Sequence, residues 1–140
     1  MNVDETMNAK ITDMIENIVV GLTCKFLNIP NDQTDYDSGH VYLHNDMYYV
    51  MIDNKVRKEL RVLSSGLYKT LSVRVFELIP GTKRPNILGV LLHMNARPYE
   101  HGETEITATI PKYDHSVVQF LQDLASAIQQ NSKEDNNDET

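Results

Sequence analysis

The chain has 140 residues, of which 41% are hydrophobic and 24% charged, and its formal net charge is −7. These values are typical of one soluble globular domain, and no apolar run approaches the ~18 residues that a membrane-spanning helix needs. The acidic N-terminus lacks the basic start and apolar stretch of a secretory signal. Cys24 is the only cysteine, which excludes an internal disulfide and is typical of a reducing compartment. We therefore expect an intracellular, cytoplasmic protein with no membrane partner.

Residues 5–27 predict the first helix, because apolar residues recur there at steps of three and four. These residues are Met7, Ile11, Met14, Ile15, Ile18, Leu22 and Phe26. Asn28, Ile29 and Pro30 end the helix, since proline disfavours helical backbone at the residue before it. Cys24 falls on the side expected to be buried, which favours a small packed hydrophobe over a nucleophile.

A β-hairpin is predicted by two runs rich in aromatic and branched residues, 41–43 and 47–52, with Asn45 between them as a turn residue. On a strand, His40 and His44 lie on the same face, about 13 Å apart. A metal ion needs its ligand nitrogens at ~2 Å, so this pair alone does not form a mononuclear metal site. Two histidines four residues apart would suit a metal site on a helix. On this strand, the same spacing predicts two polar positions on one face of the sheet.

Residues 54–63 leave two alternatives open. The spacing of Val56, Leu60 and Leu63 favours a short helix, and a strand over 59–63 is the competing interpretation. On the helix, the basic residues of this segment would face outward together.

Three strands follow, over 71–79, 86–94 and 103–110. The segment between the first two contains two prolines and a glycine, which makes it a firm break. The second strand is the most apolar and is expected to be central in the sheet. The third alternates apolar and polar residues, which predicts one face in water.

The last predicted element is a helix over 115–130, with Asp114 or Ser116 as its cap. Its apolar stripe consists of Val117, Leu121, Leu124 and Ile128, widened by Val118 and Ala125. Residues 131–140 contain no apolar residue and are expected to form a disordered acidic tail.

The elements together predict a single α+β domain over residues 1–130. Their order is α-β-β-α-β-β-β-α, and the short connections make the sheet of about five strands antiparallel. No nucleophile elbow, paired Cys-x-x-Cys or dinucleotide glycine motif occurs in the sequence. We therefore expect a protein that is not an enzyme and that holds no cofactor and no metal.

The charge distribution is the most unusual feature of the chain. Residues 54–97 contain nine basic and two acidic residues, a net charge of +7, whereas the rest contains four basic and eighteen acidic residues, a net charge of −14. Basic residues cluster at 55–61 and 82–84, and Tyr68 adjoins one of them. Arginine and lysine neutralise phosphates, and tyrosine stacks on bases. The candidate partner- or phosphate-binding residues are Arg57, Lys58, Arg61, Tyr68, Lys69, Lys83 and Arg84.

Two functional hypotheses follow from these patterns. The first is a small non-catalytic binding module, an adaptor, chaperone or regulatory subunit, in which a protein partner or a second copy covers an apolar sheet face containing Met47, Tyr49 and Met51. The alternative is single-stranded nucleic-acid binding by residues 55–84, with the acidic tail as modulator. Against the alternative stand the overall acidity and the prospect that acidic loops neutralise the basic segment within the fold.

Overall fold

Two helices and five strands make up the part of the chain that the computed structural model describes, residues 3–31, 40–60, 65–97, 103–110 and 114–131. The helices are α1 (Val3–Leu27) and α2 (His115–Asn131). The strands are β1 (His40–His44), β2 (Tyr48–Leu60), β3 (Ser65–Leu78), β4 (Pro85–Arg97) and β5 (Glu103–Ala108). Neither of these described helices is long and apolar enough to cross a membrane.

The sheet is an antiparallel meander in which each strand pairs with the next one along the chain, in the order β1-β2-β3-β4-β5. This confirms the α+β class and the antiparallel sheet of five strands. The middle strand is β3, although β4, which the sequence placed at the centre, is also hydrogen-bonded on both sides. The turns after β1 and after β3 meet, since the Leu78 amide donates to the Met47 carbonyl at 3.1 Å. We call this edge of the sheet the hairpin end.

The short helix expected over 54–63 is wrong. Strand β2 continues through this segment to Leu60, and every one of its residues from Tyr48 onward pairs with β3. The helical spacing of Val56 and Leu60 is a weak local preference, and strand pairing along the whole of β2 overrides it. The competing strand interpretation was correct at 59–60, whereas residues 61–63 lie outside the described part of the chain.

Both helices pack on one face of the sheet and form the core with it. The α2 residues Val117, Leu124 and Ile128 are buried as the stripe predicts, and Phe120 joins them. On α1 the buried face is rotated relative to the prediction, because this helix is apolar on more than one side. Its buried apolar residues are Ile15, Val19, Val20, Cys24 and Leu27, whereas Ile18 and Leu22 are only partly buried.

Helix α1 ends in a Schellman motif at Leu27, the residue at which the sequence predicts its end. Asn28 adopts a left-handed backbone with φ of 57°, and the amides of Asn28 and Ile29 donate to the carbonyls of Lys25 and Cys24. This pattern satisfies carbonyls that the end of a helix leaves free. The Asn45 side chain then donates to the Leu27 carbonyl at 3.2 Å, which fixes the end of α1 at the hairpin end of the sheet.

Helix α2 begins at the same end of the sheet. Asp114 is its N-cap and accepts a hydrogen bond from the Val117 amide at 3.1 Å, which resolves the choice between Asp114 and Ser116. The Tyr48 hydroxyl, at the start of β2, donates to the other carboxylate oxygen of Asp114. Each element that meets here is therefore positioned by a side chain of a neighbouring element.

Candidate functional site

The sheet face opposite the two described helices is the candidate site. Alternation along β1 places Val41 and Leu43 in the core and the residues between them on the other side. The strand registers extend this second face across all five strands. We call it the open face. Its described positions are His40, Tyr42, His44, Tyr49, Met51, Asp53, Ser72, Arg74, Phe76, His93, Asn95, Glu105 and Thr107.

Four aromatic rings form a row over β1 and β2 on the open face. The His40 and Tyr42 rings lie 6.3 Å apart at 9°, and the His44 and Tyr49 rings lie 6.1 Å apart at 1°. A tilted contact between Tyr42 and Tyr49, at 6.3 Å, joins the two pairs. Tyr42 is 52% exposed, and burial together with the neighbouring Tyr42 raises the pKa of Tyr49. This ring row, as we call it, offers a rigid and partly exposed aromatic surface.

A buried carboxylate lies beside the ring row. Asp53 is 2% exposed, and its two oxygens accept from His40 Nδ1 at 2.6 Å and from Arg74 Nη2 at 3.1 Å. A carboxylate without a proton only accepts, so this contact is a hydrogen bond in the tautomer that has its proton on Nδ1. The guanidinium offsets the charge of Asp53, so that the middle of the open face is polar without being acidic. Arg74 Nε is buried and makes no hydrogen bond within the described residues.

The chemistry of the His40–Asp53 pair is limited by what surrounds it. A carboxylate that orients an imidazole is half of an acid–base arrangement, and the other half is a hydroxyl or thiol bonded to the ring. No such group of the described residues is bonded to His40. The described residues also contain no group of three His, Cys, Asp or Glu placed to hold a metal ion. His40 and His44 do share one strand face, as the hairpin predicts.

The predicted basic site residues fall at two opposite ends of the sheet. Lys83 and Arg84 are exposed in the turn between β3 and β4, at the hairpin end. Arg57, Lys58, Tyr68 and Lys69 lie where β2 and β3 pair at the far end. From Lys69 to the turn, the length of β3 is roughly 30 Å. The two basic clusters of the sequence therefore lie in two separate regions of the sheet.

The strand geometry also changes how the first cluster is arranged. A helix would have grouped its basic residues on one side, but neighbours on a strand fall on opposite faces of the sheet. Positions 57 and 58 therefore lie on different faces, with Arg57 opposite Tyr68 and Lys58 opposite Leu67. Arg61, the third predicted member, lies outside the described residues. The tail expected over 131–140 is likewise outside them, apart from Asn131 at the end of α2.

Exposed aliphatic side chains at the hairpin end were not anticipated. One residue of β3 faces four residues of β4 between the pairs Phe76–Val90 and Leu78–Pro85, so β4 bulges there. The Leu88 amide donates to Asn86 Oδ1 at 3.2 Å, which directs Leu88 outward to 98% exposure. Asn86 and Gly89 were the available signals, since such residues mark turns and bulges.

Comparison with known proteins gives no family to this chain. No protein-family model matches it, and no curated protein or solved structure matches it significantly. The features of the chain that bear on its function are therefore the open face and the two basic regions.

Proposed function

We propose that this protein is a small non-catalytic binding module, acting as an adaptor, chaperone or regulatory subunit, and that two copies pair through their open faces. The observation that carries the proposal is the ring row, with Met51 beside it, on a sheet face that no described helix covers. Tyrosine, methionine and arginine are enriched in the cores of protein interfaces. Tyrosine also buries a large area at a low cost in side-chain entropy.

Charge supports a second copy as the partner. The whole chain carries −7, so two copies repel each other over most of their surfaces. On the open face, Arg74 offsets the buried Asp53 and the ring row contains no carboxylate, while Glu105 on β5 is the other acidic position of the face. A surface that is less acidic than the rest of the molecule favours contact between two copies there.

The size of the open face agrees with the requirement of a dimer. Without residues 55–60 and 65–70, where β2 and β3 pair only with each other, its strands correspond to a face of roughly 600 Å². Standard protein interfaces take about 600 to 1,000 Å² from each partner. Two open faces packed together at the usual ~10 Å spacing of stacked sheets would therefore form an interface at the lower end of the ordinary range.

Sedimentation velocity over a range of concentrations tests this proposal. The test variant is Tyr42→Asp, in the ring row, and its matched control is Val118→Asp, which replaces an exposed apolar residue of α2 outside the open face. We expect a reversible dimer whose Kd rises roughly tenfold or more in the first variant and stays unchanged in the second. A wild-type chain that remains monomeric at all concentrations, or equal effects of both variants, would contradict the proposal.

An intracellular location belongs to the same proposal. The lone Cys24 is buried and unpaired, and burial raises the pKa of its thiol. A small protein stabilised by a packed core and without disulfides is typical of a reducing compartment.

A further inference from the structure

Exposed aliphatic side chains collect at the hairpin end of the sheet. Six large hydrophobic residues are exposed among the described residues, and four of them lie at this end, namely Met47, Ile79, Ile87 and Leu88. The bond from the Leu78 amide to the Met47 carbonyl brings the turn after β1 beside the turn after β3. We call the four side chains the apolar tip. Leu88 is 98% and Ile87 73% exposed, so the rest of the chain covers little of either side chain.

Hydrogen bonds fix the backbone that carries the apolar tip. In the turn after β3, the Thr82 amide and hydroxyl donate to the Ile79 carbonyl at 3.0 and 2.9 Å. In the bulge of β4, Asn86 Oδ1 accepts from the Leu88 amide at 3.2 Å. A Cβ at Gly89 would lie 2.9 Å from Asn86 Nδ2, so glycine leaves room for Asn86 to take this position. The exposed side chains are therefore held in place before any partner binds, which lowers the entropic cost of a contact.

Two cations share the connection between β3 and β4 with the apolar tip. Lys83 and Arg84 are exposed, and Ile79 and Ile87 flank them along the chain. The Arg84 amide donates to Thr82 Oγ1 at 3.1 Å, and the Arg84 carbonyl accepts from the Ile79 amide at 3.0 Å, so the turn places both cations beside the apolar tip. Aliphatic side chains with cations next to them match the two layers of an anionic lipid surface, its acyl chains and its phosphates.

The described charges of the hairpin end balance, although the whole chain carries −7. The basic residues there are Lys25, Lys83 and Arg84, and the acidic residues are Asp46, Glu77 and Asp114. Asp114 caps α2, and Glu77 lies opposite Tyr48, on the sheet face that the helices cover. Exposed charges farther away than about 8 Å are screened at physiological ionic strength. This end of the acidic protein therefore approaches an anionic surface without net repulsion.

The shape and composition of the apolar tip favour a lipid layer over a protein pocket. Ile87 and Leu88 project from a bulge and do not line a groove. A lipid layer accommodates a projecting aliphatic side chain without a matching cavity, whereas a protein partner needs one. Leucine is also under-represented among the residues that dominate protein interfaces, where tryptophan, tyrosine and arginine lead. The open face has such a composition, and the apolar tip does not.

We propose that the hairpin end docks on the surface of an anionic lipid bilayer, with Ile87 and Leu88 inserted at the boundary of the acyl chains and Lys83 and Arg84 against the lipid phosphates. The expectation of no membrane partner rested on the lack of a spanning segment, which a contact at the surface does not require. A few aliphatic side chains and two cations give weak, reversible binding. The apolar tip shares no residue with the ring row, so this proposal stands or fails independently of the dimer.

Co-sedimentation of the full chain with vesicles tests this proposal, using phosphatidylcholine alone and phosphatidylcholine mixed with phosphatidylserine. The test variants are Leu88→Ser and Ile87→Ser, and the matched control is Tyr42→Ser, which removes an exposed apolar side chain from the open face. The protein is kept below the concentration at which sedimentation velocity detects a dimer, so that a weaker dimer in the control does not affect the result. The charge variant is Lys83→Gln, Arg84→Gln, and circular dichroism verifies that each variant is folded.

We expect wild type to bind the mixed vesicles, each apolar-tip variant to bind roughly tenfold more weakly, and the control to bind within about twofold of wild type. The charge variant should lose the preference for phosphatidylserine. Absence of wild-type binding would overturn the proposal and indicate a protein partner for this end. Equal losses in Leu88→Ser and Tyr42→Ser would overturn it as well. So would wild-type binding by Leu88→Ser together with a loss in the charge variant, because that result means adsorption without insertion.

Discussion

At the scale of single residues, Asp53 contributes both to the arrangement of side chains on the open face and to the stability of the fold. Its carboxylate is buried and holds Arg74 and His40, which come from the two strands flanking β2. Removing one partner of a buried charged group leaves the other without compensation, which costs more than the pair contributes. Asp53 therefore positions the side chains of His40 and Arg74 on the open face, and these contacts in turn compensate the burial of its carboxylate.

We predict that Asp53→Asn lowers the free energy of unfolding by about 2 kcal/mol, because the Arg74 guanidinium, whose Nε makes no hydrogen bond within the described residues, then loses its carboxylate. Urea unfolding followed by circular dichroism measures the loss. Asp46→Asn, the same substitution in the exposed turn after β1, should change the value by less than about 0.5 kcal/mol. Similar losses for both variants would show that the ion pair does not stabilise the fold.

At the scale of secondary-structure elements, the contact between Tyr48 and Asp114 joins β2 to the start of α2. Burial, together with the bond to Asp114, raises the pKa of Tyr48 to about 12. Burial opposes the ionisation of Asp114, but hydrogen bonds from Tyr48, Ser116 and the Val117 backbone outweigh it and lower its pKa. The neutral phenol and the ionised carboxylate therefore form the stable pair.

This contact makes stability depend on pH in two ranges. Tyr48 in the unfolded chain ionises near pH 10. Its contribution to the free energy of unfolding is therefore complete below pH 10 and is lost between pH 10 and about 12. The contribution of Asp114 is complete above its unfolded pKa, near 4, and is lost as the pH falls through its lower folded value. The alkaline loss reaches roughly 2 kcal/mol.

We expect Tyr48→Phe to remove most of this alkaline loss, because phenylalanine keeps the packing against Phe26 but has no proton to lose. Chemical unfolding at pH 8 and pH 11 measures the difference, and Tyr42→Phe is the control, since Tyr42 is exposed and lies far from Asp114 in the fold. If the pH dependence is the same in both variants, the hydroxyl of Tyr48 does not couple β2 to α2.

Most elements could be predicted from the sequence, and the exceptions have physical causes. The hairpin at Asn45, strands β4 and β5, strand β3 from Leu71 onward and both long helices follow from local patterns that the fold reinforces, whereas residues 65–70 of β3 were not predicted. The segment 54–60 could not be assigned locally, because its strand state comes from pairing with β3. The rotated face of α1 has a similar origin, since several of its sides are apolar and only contact with the sheet selects one.

The candidate site was only partly visible in the sequence. The alternation around His40 and His44 predicts their shared face, and the apolar face with Tyr49 and Met51 was expected. The contact of Asp53 with Arg74 required the register of β2 against β3, which places Ser72, and not Arg74, directly opposite Asp53. A diagonal contact of this kind depends on side-chain reach across strands, which no spacing in the sequence encodes.

At the scale of the whole molecule, the sheet has three regions of different surface character. The hairpin end has exposed Ile79, Ile87 and Leu88 beside Lys83 and Arg84, and the middle of the sheet has the open face. At the far end, within the described residues, β2 and β3 pair only with each other over 55–60 and 65–70. Because these regions share no residue, a substitution in one should leave the others intact. All of these regions are held in place by the same hydrophobic core, which both helices form with the sheet.

Cys24 provides a test of that core as a unit. Its side chain lies within the core, with Sγ 3.7 Å from Asn31 Oδ1, and burial raises the pKa of the thiol. A thiol reagent reaches this side chain only when α1 leaves the sheet. We therefore predict that Cys24 is labelled roughly a thousandfold more slowly than a free thiol, and that the labelling rate rises with urea in parallel with unfolding. The fully unfolded chain, whose single thiol should react at the free rate, is the control. Native labelling within tenfold of that rate would mean that α1 opens locally, without the cooperative core inferred from the packing.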